Sequence, residues 1–243
     1  GEGLNGHSFG NLFITALAAV TGSFECALVE AAQVLAVRGR ILPSTLDDVT
    51  LGADLHAPSP GSESPGLTRV QGESAIPKVG QPIERVFLRP ESVRAYPEAV
   101  RAILDADLVI AGPGSLFTSV MPNLLVRDIR RAVEVSSALK LYVCNVATQP
   151  GETDGFDVGQ HVDALQRHVG RGLFPHVLVN DHLVQSSEHL RFRPVALHCP
   201  PDRGCRVIAA DLVALDAPWR HDSDKLAEWI VQFHRSQRTD AES

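Results

Sequence analysis

The chain has 243 residues, 44% of them hydrophobic and 21% charged, a balance that excludes a disordered or fibrous polypeptide. With 22 Lys and Arg against 29 Asp and Glu, the net charge is -7. That excludes broad binding to a nucleic-acid backbone, which needs surplus cations to replace counterions, so no nucleic-acid partner is expected.

No apolar run is long enough to span a bilayer and no charged-then-apolar leader opens the chain, so a cytoplasmic protein without membrane insertion is expected. The four cysteines, Cys26, Cys144, Cys199 and Cys205, lack metal-site spacing and disulfide density, which reads as reduced thiols. The length suits one α/β domain over residues 1–243. The only methionine is Met121, so the first residue is not a translation start and an upstream segment is expected.

Ser8 is placed to cap a helix whose apolar positions Phe9, Leu12, Phe13, Ala16, Leu17 and Val20 recur at helical spacing, with Gly22 as its stop. Ser23 caps a second helix, whose stripe is Phe24, Ala27, Leu28, Ala31 and Leu35. The two form a predicted helical hairpin. Residues 41–90 form a β-rich insertion with short strands at VTLGADL, LTRVQG and IERVFL, and the stretch APSPGSESPG as an exposed tip.

From residue 97 the order is helix, strand DLVIAG, turn, helix NLLVRDIRRAVEV and strand KLYVCNV. A helix around residues 157–169, strand HVLVN, a strand in RVIAADLVAL and a closing helix capped by Asp222 continue the alternation. This is the pattern of a Rossmann-like, doubly wound, mostly parallel α/β sheet carrying the hairpin and the small antiparallel insertion.

In such sheets ligands collect beyond the carboxyl ends of the strands. After DLVIA come Gly112, Pro113, Gly114 and Ser115, then Thr118 and Ser119. Glycines let a backbone approach a ligand, and hydroxyls beside N–H groups at a helix start suit a phosphate; a tight connection with a serine cap is the alternative. The next strand ends at Asn145, followed by Gln149, Glu152, Thr153 and Asp154. These suit the hydroxyls of a ribose or sugar, or a metal's waters, and equally a turn before a helix capped by Asp157 and Gln160.

His7, Ser8 and Asn11 on the first helical turn could hold an anion or serve as a plain cap. Asp47 and Asp48 could ligate Mg²⁺ or face solvent, and Arg220 could reach a diphosphate or lie solvated. No nucleophile elbow, Ser-His-Asp order or metal spacing stands out, so no catalytic residue and no certain cofactor is assigned, with Mg²⁺ left open.

The blocks GHSFGNLFITAL, LAVRGRILPSTLDDVTL, GES at residues 72–74, ADLVIAGPGSLFTSVMPNLLV, YVCNVATQPGETDGF and RHDSDKLA together resemble the bacterial gluconeogenesis factor family, of the 2-phospho-L-lactate transferase-like superfamily. The resemblance runs from Gly6 to the final helix. It implies a Rossmann-like core in a cytoplasmic protein that binds a nucleotide or nucleotide-sugar, notably UDP-N-acetylglucosamine, and that supports growth and cell-wall morphogenesis on gluconeogenic carbon sources. It also implies that the turn at Gly112 to Ser119 holds nucleotide phosphates and that Arg220 contacts the UDP-sugar. Family members open with a strand and a Gly-Gly-Gly-Thr-Gly loop, then an Asp-Asp-Gly-Gly-Ser-Ser-Gly segment; neither occurs here, so an N-terminally truncated form is expected.

The leading expectation is a non-catalytic, nucleotide-sugar-responsive regulator. The alternative is an Mg²⁺-dependent transferase of phosphorus-containing groups that uses a guanosine diphosphate conjugate. An NAD(P) oxidoreductase lacks its glycine fingerprint. The identity of the nucleotide, and any homo-oligomer, stay open.

Overall fold

A computed structural model describes residues 9–57, 66–182 and 192–241. Helices α1 (Phe9–Thr21) and α2 (Phe24–Val34) form the predicted hairpin. The Ser23 hydroxyl accepts the N–H of Cys26 at 3.4 Å, as its capping position requires. Ser8, His7 and the side chain of Asn11 lie outside what the structure describes.

Strands β1 (Thr50–Ala57), β2 (Gly66–Gln71) and β3 (Ile83–Arg89) pair antiparallel in the order β2-β1-β3. Ala57 faces Gly66 at the end of the first pair; residues 58–65, within the Pro/Gly/Ser stretch expected as an exposed tip, lie outside the described ones. Between β2 and β3 sits a one-turn helix, α3 (Ile76–Val79), too short to announce itself by periodicity. Leu51, Ala53 and Leu55 of β1 are buried against the common core. Gly52 and Asp54 take the opposite face, because side chains alternate along a strand.

The second half comprises α4 (Pro97–Leu104), β4 (Leu108–Ala111), a π-helical turn (Leu116–Val120), α5 (Met121–Leu125), α6 (Arg127–Val135), β5 (Leu139–Val143) and α7 (Val158–Val169). It closes with β6 (His176–Asn180), a 3₁₀ turn (Pro201–Arg203), β7 (Arg206–Ala210) and α8 (Ser223–Ala241). Strands β4 to β7 lie in sequence order and are all parallel. Asp157 and Gln160 form a capping box for α7, and Asp222 Oδ1 accepts the N–H groups of Asp224 and Lys225.

The apolar run predicted as one helix over NLLVRDIRRAVEV divides in two. Val126 is extended, with φ -67° and ψ 109°. Leu124 ends the buried face of α5, and Val126, Ile129 and Val133, at i, i+3 and i+7, form the buried stripe that continues along α6. β7 is also shorter than RVIAADLVAL suggests. The N–H of Leu212 leaves the strand direction to donate to Asn180 Oδ1 at 3.0 Å.

Both faces of the parallel sheet are covered. Tyr142, Cys144, Val177 and Val179 face a core shared with α5, α6, α7 and the antiparallel sheet. Leu141, Val143 and Leu178 face Leu226 and Phe233 of α8. This two-sided burial is the Rossmann-like, doubly wound arrangement expected from the sequence, with the antiparallel sheet packed on one side. Among the described residues no helix is long and apolar enough to cross a membrane.

Candidate functional site

The turn after β4 is shaped by two constraints on Gly112. Its φ is 85°, and a Cβ there would lie 2.8 Å from the carbonyl oxygen of Val143 on β5, so glycine meets both the torsion and the space. The peptide to Pro113 is cis. Beyond it, the side chain of Asn145 clamps Gly114 from the end of β5. Asn145 Oδ1 accepts the Gly114 N–H at 3.2 Å, and its Nδ2 donates to the Gly114 carbonyl at 2.9 Å.

The same Asn145 amide donates to Gln149 Oε1 at 3.2 Å, and Gln149 Nε2 donates to Ser115 Oγ at 2.6 Å. Ser115 accepts that bond, so its own hydroxyl proton is not used in it. The turns after β4 and β5 are thereby stitched into one polar rim at the carboxyl end of the sheet, the edge where open α/β sheets take their ligands.

The helix start that follows differs from the expectation. Ser115 makes no side-chain cap bond; its carbonyl instead accepts the N–H groups of Ser119 and Val120, both at 2.9 Å, which gives the π-helical turn. Glu152 takes the place at this turn that an anion was expected to hold. Thr118 Oγ1 donates to Glu152 Oε1 at 2.9 Å, and the backbone N–H groups of Phe117 and Thr118 also favour its charged form. Burial outweighs them and pushes the Glu152 carboxyl above its usual range, with Glu73 of the GES block adding a small repulsion. Glu152 is 7% exposed, and its Oε2 has no hydrogen-bond partner.

Thr118 and Glu152 therefore join the π-helical turn to the loop after β5. Thr153, fully buried, is also structural: its Oγ1 accepts the Gln149 N–H at 2.9 Å. Asp154 holds its own turn by accepting the Gly151 N–H at 2.6 Å. Gly151 has φ 80°, and a Cβ there would collide with the carbonyl of Pro77, so α3 of the antiparallel section presses on this loop. Thr118, Glu152, Thr153 and Asp154, expected to face a ligand, thus each also make an internal bond that shapes the rim.

Gly112, Pro113 and Ser119 border a cleft of about 480 Å³ whose mouth also carries Arg40, Ser44 and Asn123. Ser44 Oγ donates to Asn123 Oδ1, and Asn123 Nδ2 donates to the Ser119 carbonyl at 2.7 Å. The apolar part of its lining includes Leu42, Val109, Ile110 and Phe174. Sequence reasoning missed Arg40, Ser44 and Asn123. The first two stand in the block LAVRGRILPST, where only the acidic pair beyond attracted notice. Asp47 of that pair accepts the backbone N–H of Arg94 at 2.8 Å. Among the described residues no group of three or more His, Cys, Asp or Glu side chains is gathered for a metal.

Arg220 lies in the loop between β7 and α8, which is held by its backbone bonds to Ala214 and Ala217. The following residue, His221, bridges to Val213 and sets its ring against the backbone of Cys144, the residue before Asn145. Burial pushes His221 below its usual range, and its Nε2 is buried without a partner. His221, unnoticed in the sequence, thus ties the Arg220 loop to the end of β5.

The model of the family described as 2-phospho-L-lactate transferase CofD matches residues 1–213. The gluconeogenesis factor of Bacillus subtilis (strain 168) is 41% identical over 241 residues, covering 96% of this chain and 73% of that protein. A Nostoc sp. (strain PCC 7120) protein given the same name provisionally is 42% identical over 244 residues, covering 96% of this chain. The chain spans only about half, 52%, of that relative's length. A crystal structure of a UPF0052-family protein from Bacillus halodurans superposes with a TM-score of 0.78 at 37% identity, covering 94% of this chain and 74% of that one.

Proposed function

The chain belongs to the 2-phospho-L-lactate transferase CofD family, and we propose that it binds a nucleotide-sugar, with UDP-N-acetylglucosamine as the ligand to test, at the carboxyl ends of β4 and β5. The observation that carries this reading is the Asn145 clamp. It holds Gly114 from both sides and, through Gln149, makes Ser115 Oγ an acceptor whose own hydroxyl proton is not used in that bond. A phosphate is the natural acceptor for such a hydroxyl, with Arg40 at the mouth and Arg220 on the neighbouring loop as cations. The apolar part of the lining suits a flat base.

The role proposed is regulatory, coupling nucleotide-sugar level to carbon metabolism and cell-wall morphogenesis in the cytoplasm. The name carried by the relatives supports the metabolic half of that reading. The carboxylate nearest the turn suits it too, because Glu152 is buried and committed to Thr118. A second reading is favoured by the name of the matching family: an Mg²⁺-dependent transferase that moves a phosphorus-containing group from a guanosine diphosphate conjugate.

Calorimetric titration with UDP-N-acetylglucosamine tests the choice. The regulator requires saturable binding without turnover, weakened about tenfold by Ser115→Ala or Arg220→Ala in folded protein. Failure to bind, together with GDP release from a conjugate in the presence of Mg²⁺, would transfer the assignment to the transferase.

A further inference from the structure

A second cavity lies at the amino ends of the parallel strands, opposite the candidate site. Its volume is about 430 Å³, and it sits where α6, the start of β5 and the loop after α7 meet. Each of these elements contributes one cation to the lining: Arg130 from α6, Lys140 from β5 and Arg171 from the loop. Neither the core nor the cleft beside Gly112 uses them.

Among the described residues none of the three pairs with a carboxylate. Their bonds go to neutral carbonyls. Arg130 Nη1 donates to His168 at 3.4 Å and Arg171 Nη2 to Asp202 at 3.5 Å, while Lys140 Nζ donates to Ser136 at 2.8 Å and to Glu134 at 3.3 Å. A guanidinium has five N–H donors, so each arginine keeps most of its own. The one carboxylate on the lining, Glu134, is held by Arg131 at 2.9 Å. The carbonyl ends of α6 and α7 attract cations, but each carries only about half a charge, so three cations leave a surplus of about two. Gly172 adds a backbone donor: nothing lies within 4 Å of where its Cβ would sit, and its N–H meets no backbone acceptor among the described residues.

We propose that this cavity binds a small phosphorylated metabolite by its phosphate group, at a site separate from the one proposed for the nucleotide-sugar. A phosphate dianion matches the surplus charge, and its oxygens can accept from two guanidinium forks and an ammonium together. The volume is in the range of small-molecule pockets and exceeds what bare phosphate fills. That leaves room for an organic body against Val169 and Leu173. A nucleic-acid polymer is disfavoured by the size of the cavity and by the chain's net charge of -7.

The test is calorimetric titration with glucose 6-phosphate, glycerol 3-phosphate, glucose and inorganic phosphate, at about 50 mM NaCl, where screening is weak. At least one ester should bind saturably with a Kd of about 1 mM or tighter. Glucose should not bind, and inorganic phosphate, lacking the organic body, should bind more weakly than that ester. Arg130→Gln and Arg171→Gln, each checked by circular dichroism, should weaken the ester about tenfold. Arg171 is exposed, so its replacement leaves the core untouched. Ser115→Ala, at the other end of the sheet, should leave ester binding as it is. The proposal is overturned by absence of saturable binding for both esters, by full affinity in Arg171→Gln, or by equal affinity for glucose or inorganic phosphate. A loss in Ser115→Ala would place the phosphate on the rim after β4 and overturn it as well.

Discussion

Thr118 Oγ1 donates to Glu152 Oε1 at 2.9 Å, so a carboxylate of the protein itself fills the place at the π-helical turn where the sequence invites an anion. Replacing Glu152 with Ala leaves that hydroxyl and the neighbouring N–H groups buried without an acceptor, at a cost of about 2 kcal/mol in urea unfolding. Gln keeps the acceptor without the charge. Burial raises the folded-state value of Glu152, so its contribution is present below the unfolded carboxyl range and is lost as pH rises through the folded value. The stability of Glu152→Gln relative to the parent should therefore rise from about pH 4.5 upward; a flat difference would contradict the assignment.

The Asn145 clamp predicts a local loosening. Asn145→Ala removes the partners of the Gly114 N–H and carbonyl and one partner of Gln149. We expect a loss of about 1–3 kcal/mol and faster hydrogen exchange at Gly114. Unchanged exchange there would show that the turn holds itself.

Two glycines separate torsion from space. Gly155 has φ 73° with nothing within 4 Å of where a methyl group would sit, whereas Gly112 combines φ 85° with the Val143 carbonyl at 2.8 Å. Gly155→Ala should cost about 1 kcal/mol, the torsional term. Gly112→Ala should cost at least about 1 kcal/mol more, on the order of a strained backbone residue. Equal midpoints in urea would mean that the β5 backbone moves aside.

Buried and half-buried histidines set the response to acid. His168 Nδ1 donates to the Ala164 carbonyl at 2.7 Å while its Nε2 accepts the Val86 N–H at 2.9 Å, so the neutral ring links α7 to β3. Burial pushes His161, His168 and His221 all below the usual imidazole range. Each favours folding when neutral; that stability is present above about pH 6.5 and is lost as pH falls through the folded values. Urea midpoints measured between about pH 8 and about pH 5 should fall below about 6.5, with a shallower slope in His168→Gln. An unaltered slope would remove His168 from the set.

Much of the architecture was legible because it rests on local rules. The caps at Ser23, Asp157 and Asp222, the helical stripes and the alternation of strands with crossover helices depend on neighbours within a turn or two, and each appears where its residues place it. The break at Val126 was not legible, because it answers to a core assembled from segments distant in the chain.

The sequence by itself determined the fold class and the resemblance to a family, and it located the two loops, Gly112 to Ser119 and Asn145 to Asp154, that meet at the end of the sheet. Only tertiary structure decided which side chains turn inward. Glu152 and Thr153 look as available in the sequence as Ser115, yet both are buried, the first with one oxygen bound by Thr118 and the second with its hydroxyl oxygen bound by the backbone of Gln149. Arg40, Ser44 and Asn123 reach the cleft through contacts across the fold; Ser44 and Asn123, hydrogen-bonded to each other, are 79 residues apart. Burial and hydrogen-bond pairing are properties of such distant contacts, which no local pattern of residues encodes.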